Sequence, residues 1–274
     1  GLGPAAPASR AQFWPAGRGP AATGEAPSAR PPLEWSETKN VRWKFPVPGR
    51  GQSSPVVWGD LVFLTTAVRL EGPASLSSLY GSPGYGAGES VEDEGPHSFR
   101  LLCFDAATGE LLWDRVACEG VPKVNRHPKS SHANPTPAVD AERVVAFFGS
   151  EGLFAFDHQG ELLWKKDFGV LDCGAPRVEE PSKYQWGFAS SPVLHAGRVV
   201  VQADVQGQSF LAVLDAASGD EVWRVLRDED PTWSTPTVCE TSARDGPQIV
   251  VNGYRHIGGY DFERSKFNRA TQAK

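Results

Sequence analysis

The sequence predicts an all-β fold: a β-propeller of four-stranded antiparallel blades, with about four blades present. Three observations carry it. Two short motifs recur along the chain at a blade-sized interval. Turn formers are dense, with 29 Gly and 23 Pro in 274 residues, about a fifth of the chain against a usual ~12%. The apolar runs between turns are short and rich in Val, Phe and Trp. None sustains the 3.6-residue period of a helix.

The first motif is a small hydroxyl residue, a proline and an apolar strand. It occurs at Ser54-Pro55, Thr136-Pro137, Ser191-Pro192 and Thr235-Pro236. The second is an apolar strand ending in Asp, a Gly turn and a strand carrying Trp. It occurs as Asp105-Gly109-Trp113, Asp157-Gly160-Trp164 and Asp215-Gly219-Trp223, with Asp and Trp 8, 7 and 8 residues apart. The motif prolines are 82, 55 and 44 residues apart. The first interval is lengthened by an insertion, residues 69–98, whose Ser, Gly and acidic composition predicts a flexible solvated loop. Without it the period is that of propeller blades.

The second unit shows a whole blade. Ala138-Val139, Arg143 to Phe148, Leu153 to Asp157 and Glu161 to Lys166 are four short strands separated by turn residues. In the Asp-to-Trp hairpin the carboxylate can accept backbone N–H bonds within the turn. The glycine can supply the positive φ that closes a hairpin with a bulge. The indole can then pack onto a neighbouring blade. These nine residues are therefore assigned a structural docking role.

The chain is expected to divide into an extended Pro/Gly/Ala-rich segment over 1–40, blades over 41–262 and an irregular basic tail over 263–274. The fourth unit has neither turn Gly nor Trp after Asp261, so its tail does not read as a fourth strand. Val41-Arg42-Trp43-Lys44-Phe45 reads as a lone outer strand.

These hairpins resemble the tryptophan-docking motif of the pyrroloquinoline-quinone-like (PQQ-like) β-propeller repeat. The resemblance covers roughly residues 41–261. That repeat occurs in quinoprotein alcohol dehydrogenases, in the outer-membrane assembly lipoprotein BamB and in many secreted bacterial propellers. It implies a ring of seven or eight blades closed by an N-terminal strand, and an extracytoplasmic, periplasmic setting. The chain then reads as the N-terminal half of a longer propeller, truncated or frame-shifted near residue 262. An open arc would leave blade faces and edges free for self-association. The dehydrogenase branch implies PQQ and a Ca²⁺ held by Glu, Asn and Asp oxygens, an Asp base and often a vicinal disulfide.

Composition narrows the chemistry. A net charge of −6 does not suit a protein that tracks phosphates, so no nucleic-acid partner is expected. No apolar run approaches the ~20 residues of a membrane helix. Cys103, Cys118, Cys173 and Cys239 contain no Cys-x-x-Cys and no adjacent pair. They read mostly as buried free thiols, with a Cys103–Cys118 disulfide left open. No Gly-x-Ser-x-Gly elbow occurs. His127 and His132 form a metal pair without a clear third ligand, or are ordinary loop histidines. Asp228-Glu229-Asp230 reads as a solvated loop, with a weak cation site as the alternative.

No catalytic residue and no metal ligand is assigned. The binding candidates are instead geometric. The loops entering the inner strand of each blade open at one channel mouth. They carry Gln52, His132, Asn134, Trp186, Phe188 and Trp233, with His256 nearby in the fourth blade. Converging aromatic and polar groups suit a protein or small ligand; packing of the channel neck is the competing role. The expected function is a non-catalytic binding scaffold without cofactor. The alternatives are a PQQ- and Ca²⁺-dependent dehydrogenase and a fragment with no independent activity.

Overall fold

A computed structural model of the chain describes residues 12–71, 89–91, 95–175, 179–240, 246–264 and 267–272. The described strands form four antiparallel sheets, each in chain order. The first blade holds β1 (Gln12–Trp14), β2 (Val56–Gly59), β3 (Leu61–Arg69), β4 (His97–Asp105) and β5 (Leu111–Gly120). The second holds β6 (Ala138–Val139), β7 (Val144–Phe147), β8 (Leu153–Phe156) and β9 (Leu162–Lys166). The third holds β10 (Val193–His195), β11 (Arg198–Ala203), β12 (Ser209–Asp215) and β13 (Glu221–Arg227). The fourth holds β14 (Thr237–Cys239), β15 (Gln248–Asn252), β16 (His256–Asp261) and β17 (Phe267–Gln272). Strands β2, β6, β10 and β14 meet in succession at the inner side. The arrangement is a partial propeller.

The blades form because their middle strands are apolar on both faces, as burial between two neighbours requires. In β7 and β8 every residue is buried. Alternate residues face opposite neighbours. Val144 and Ala146 join Phe63, Phe99, Leu101 and Phe154 in the core between blades one and two. Val145 and Phe147 join Leu153, Val199, Val201 and Leu214 between blades two and three. Val200, Leu211, Val213, Ile249, Val251 and Tyr260 fill the next seam.

Two ladders tie each blade to the next. On the outer side, the indole Nε1 of Trp43, Trp113, Trp164 and Trp223 donates to the carbonyl oxygen of Ala106, His158, Ala216 and Phe262, at 3.0, 2.9, 2.9 and 3.1 Å. Each acceptor is the residue after the turn Asp of the following blade. The turn glycines Gly109, Gly160 and Gly219 have φ of +75, +85 and +75°. The indoles lie against them, and a Cβ at Gly219 would stand 2.6 Å from the Trp164 ring. On the inner side, the motif hydroxyls act. Ser54 N donates to Thr136 Oγ1 (3.0 Å), Thr136 N to Ser191 Oγ (2.9 Å) and Ser191 N to Thr235 Oγ1 (3.1 Å).

Four expectations need correction. The N-terminal segment, expected as extended chain outside the blades, joins the first sheet in part: β1 pairs with β2 through Gln12↔Gly59, Phe13↔Trp58 and Trp14↔Val57. Residues 41–45 form no strand. They lie over the far face of blade one, where Trp43 stacks on Phe104 (6.4 Å) and Phe45 meets it edge-on (4.9 Å). The tail supplies a fourth strand after all, since β17 pairs with β16 from Tyr260↔Phe267 to His256↔Gln272. Neither Gly nor Trp is needed for this. Asp261 Oδ1 accepts the N–H groups of Glu263 (2.9 Å) and Arg264 (3.1 Å) and nucleates the turn, and the ladder does the rest. Arg269 pairs with Gly259 where the other blades place their tryptophan. Finally, the insertion is shorter than 69–98, because the β3–β4 ladder runs out to Arg69↔His97. Most of the expected flexible loop lies outside the described residues.

The four cysteines are free, and Cys103 and Cys173 are buried. Burial pushes the Cys103 and Cys118 thiols up to about 12. In two of the turns the carboxylate is held low by hydrogen bonds. Asp105 owes this first to the Thr108 N–H and then to the Thr108 hydroxyl, and Asp215 first to the Ala217 N–H.

Two predictions follow from the turns. Gly197 has φ +72° with nothing within 4 Å of an added Cβ. Gly197→Ala should therefore cost only the left-handed strain, about 1 kcal/mol. Gly219→Ala must also displace a buried indole and should cost at least ~2 kcal/mol more, as measured by urea unfolding. The depressed Asp105 and Asp215 contribute stability that is present above the unfolded carboxyl value near ~4 and lost as pH falls through their folded values. The double variant Asp105→Asn/Asp215→Asn should narrow the gap in Tm between neutral and acid pH; an unchanged gap would refute this.

Candidate functional site

The strand-entering loops are laced together around the axis. Gln52 N donates to Ala133 O (3.0 Å), as does Ser53 N (3.2 Å), and the Gln52 amide reaches Lys129 O. Asn134 Nδ2 donates to Phe188 O (3.1 Å), while Asn134 Oδ1 accepts Ser131 N (2.9 Å) and Ser131 Oγ (3.0 Å). Ser130 Oγ donates to Trp186 O (3.3 Å), and Trp233 Nε1 donates to Gly187 O (2.9 Å). The hydroxyl ladder underlies these loops. The mouth is thus held by backbone acceptors from neighbouring blades.

The rings of Trp186 and Trp233 lie 5.9 Å apart at 38°. Trp233 remains 41% exposed, although a buried setting is usual for so large an apolar group. Gln52 is also exposed and Trp186 half-buried. His132 meets His97 edge-on at 5.1 Å and lies beside Phe99. Phe188 turns inward: it is buried, packs 4.8 Å from Phe147 and lies against Gly149. Of the residues singled out in the sequence, Gln52, Asn134, Trp186 and Trp233 are joined through this loop network, and Phe188 supports it from the core. His127 accepts the Lys129 N–H at 3.1 Å, which fixes the loop between Gln52 and Asn134; burial and then Lys129 lower its pKa.

His256 takes part in a different structure, the seam between blades three and four. There Arg227, with its side chain 3% exposed, donates from Nε to Asp204 Oδ1 (2.8 Å), from Nη2 to Asp204 Oδ2 (3.3 Å) and from Nη1 to Tyr260 Oη (2.8 Å). Thr232 Oγ1 and Gln202 Nε2 also donate to Asp204 Oδ2, at 3.0 and 2.7 Å. Glu229 receives the Arg255 N–H at 2.7 Å, and its Oε1 lies 3.1 Å from His256 Nδ1. Arg255 also pairs with Asp228 (2.8 Å) and Asp230 (3.0 Å). The acidic run is therefore no simple solvated loop: its central carboxylate is buried and bonded. Burial lowers the Arg227 pKa, but Asp204, Tyr260 and Glu229 together raise it, and the net shift is upward. A cavity of about 370 Å³ beside the network is lined by Val225, Leu226, Arg227, Glu229, His256 and Tyr260 among others. Sequence reasoning missed Asp204 and Arg227, because no local spacing links a β11–β12 loop to the end of β13.

Among the described residues no three of His, Cys, Asp and Glu converge to hold a metal ion. The acidic groups of the seam are engaged by Arg227 and Arg255. The donor set that PQQ with Ca²⁺ implies is not assembled there. No helix among the described residues is long and apolar enough to cross a membrane.

The family model described as outer membrane protein assembly factor BamB matches residues 33–167 and 97–255. No curated protein sequence matches the chain. Among solved structures, BamB from Moraxella catarrhalis is 18% identical with a TM-score of 0.40, over 68% of this chain and 49% of its own. A europium-containing methanol dehydrogenase is 12% identical with a TM-score of 0.50, over 84% and 43%. The quinohemoprotein alcohol dehydrogenase of Comamonas testosteroni is 12% identical with a TM-score of 0.47, over 82% and 35%. The chain spans about half or less of the length of these structures. At such identity the likeness speaks to fold alone. The match of the family model across the blades, with the repeated hairpins inside it, makes the chain a member of the PQQ-like β-propeller repeat family that this BamB model represents.

Proposed function

We propose that the chain is a non-catalytic, extracytoplasmic scaffold that binds a protein partner through the channel mouth. The observation that carries this reading is the Trp186–Trp233 pair: two large rings at one mouth, 5.9 Å apart, with Trp233 41% exposed. Aromatic anchors ringed by polar groups are what protein interfaces concentrate. Gln52 and Asn134 supply the polar surround, and the loop hydrogen bonds hold the rings in place before a partner arrives, which lowers the ordering cost of binding. The extracytoplasmic setting and the protein partner are carried over from the BamB description of the family model. The proposed binding uses no cofactor.

Panning a random-peptide phage library on the immobilised chain should yield binders that lose about tenfold affinity on Trp233→Ala, or about 1.4 kcal/mol. The variant should lose the hydrogen bond to Gly187 O and a few degrees of Tm, yet stay folded, because the ring is only part-buried. Trp186→Ala should weaken the same binders. Binders indifferent to both substitutions, or a Trp233→Ala variant that loses its fold and leaves binding by Trp186→Ala unchanged, would assign these rings to packing of the neck.

A further inference from the structure

Residues 12–19 do more than add a strand to the first blade. Strand β1 adds to the inner edge of β2, the side on which the inner strands of the four blades meet. Its hold is small: three residue pairs with β2, and Phe13 edge-on to Trp58 at 4.7 Å. Phe13 stays 49% exposed. Past Trp14 the chain crosses to the second blade, where Pro15 O accepts the Val139 N–H at 2.9 Å. Gly17 lies against Thr136, a member of the inner hydroxyl ladder. A turn then closes with Gly19 N donating to Ala16 O (2.9 Å), and Gly19, at φ +75°, leaves no room for a Cβ beneath the Trp14 ring.

Residues 20–42 connect this segment to Trp43. They are exposed almost throughout, with Leu33 95% and Trp35 73% exposed. Their hydrogen bonds are local, such as Ser36 with Lys39. Lifting residues 12–19 therefore breaks only the contacts of that short segment, while the ladders between blades stay intact. It would bare a strand edge on β2, the Trp58 ring and the Val139 N–H. An extended chain can fill such an edge, with backbone pairing giving affinity and an aromatic contact giving selectivity. At the Pro15 position only a carbonyl is used, so a proline is accepted there without losing a bond.

We propose that the inner edge of the first blade is a binding site for an extended peptide carrying an aromatic residue opposite Trp58, and that residues 12–19 are its exchangeable resident. The ligand class is an aromatic strand-forming peptide presented in trans. The site differs from the channel mouth and does not rest on the function proposed there.

The test uses a fluorescent peptide with the sequence of residues 11–19. It is titrated against the full chain and against the full chain carrying Phe13→Asp and Trp14→Asp, which release the resident. The released chain should bind at least about tenfold more tightly, and Trp58→Ala in that background should abolish the gain. Equal affinities, or no binding to a variant whose circular dichroism and Tm match the parent, overturn the proposal. Should the released variant not fold, amide exchange in the unmodified chain decides. The Val139 N–H is expected to exchange at least about 100-fold faster than those of Val144 and Val145 in β7; equal protection makes β1 a permanent strand and overturns the proposal. Dimerisation of the unmodified chain with rising concentration overturns the assigned occupant in favour of a second copy.

Discussion

The donation of each indole N–H to a carbonyl in the following blade is the interaction on which the rest depends. A blade is a small sheet that cannot bury both faces alone, so its stability is a matter of neighbours. The indole covers apolar surface and satisfies a backbone carbonyl at once. It does so at the residue after the turn Asp, whose position the carboxylate has already set. Trp43 makes the same contact with Ala106 from a segment that is not a strand. The contact therefore belongs to the side chain and the turn, and does not require a complete preceding blade.

The inner hydroxyl ladder serves the opposite edge. Each motif proline follows a residue whose N–H, in three of the four blades, is taken by the hydroxyl of the next blade. Fixed at both radii, neighbouring blades have little freedom to slide. The loops above the inner ladder inherit that rigidity, which is why a part-exposed aromatic pair can persist at the mouth. The ionic seam between blades three and four is built differently. Asp204, Arg227 and Glu229 are desolvated together, and such a network holds only while each member keeps its partners.

Much of the fold was legible because its signals are local. An Asp, a Gly with positive φ and a Trp lie within nine residues of one another, and the turn they make needs nothing from elsewhere. Of the mouth, the loop positions were legible from the proline motifs, and the orientation of the side chains was not. Phe188 and Trp186 are two residues apart, yet one fills the core against Phe147 and the other pairs with Trp233. Pairings that join distant residues left no mark in the spacing. Strand β17 lacks the expected Gly and Trp, and its register comes from β16.

From the sequence alone came the four blades, their turns and the residues able to dock, because strand alternation and turn chemistry are properties of a few consecutive residues. Tertiary structure alone decided which blade each indole enters, that residues 12–14 extend the first sheet, and that Glu229 is buried beside Arg227. These outcomes depend on which surfaces meet when the sheets pack, and the energy of such a meeting is shared between residues tens of positions apart.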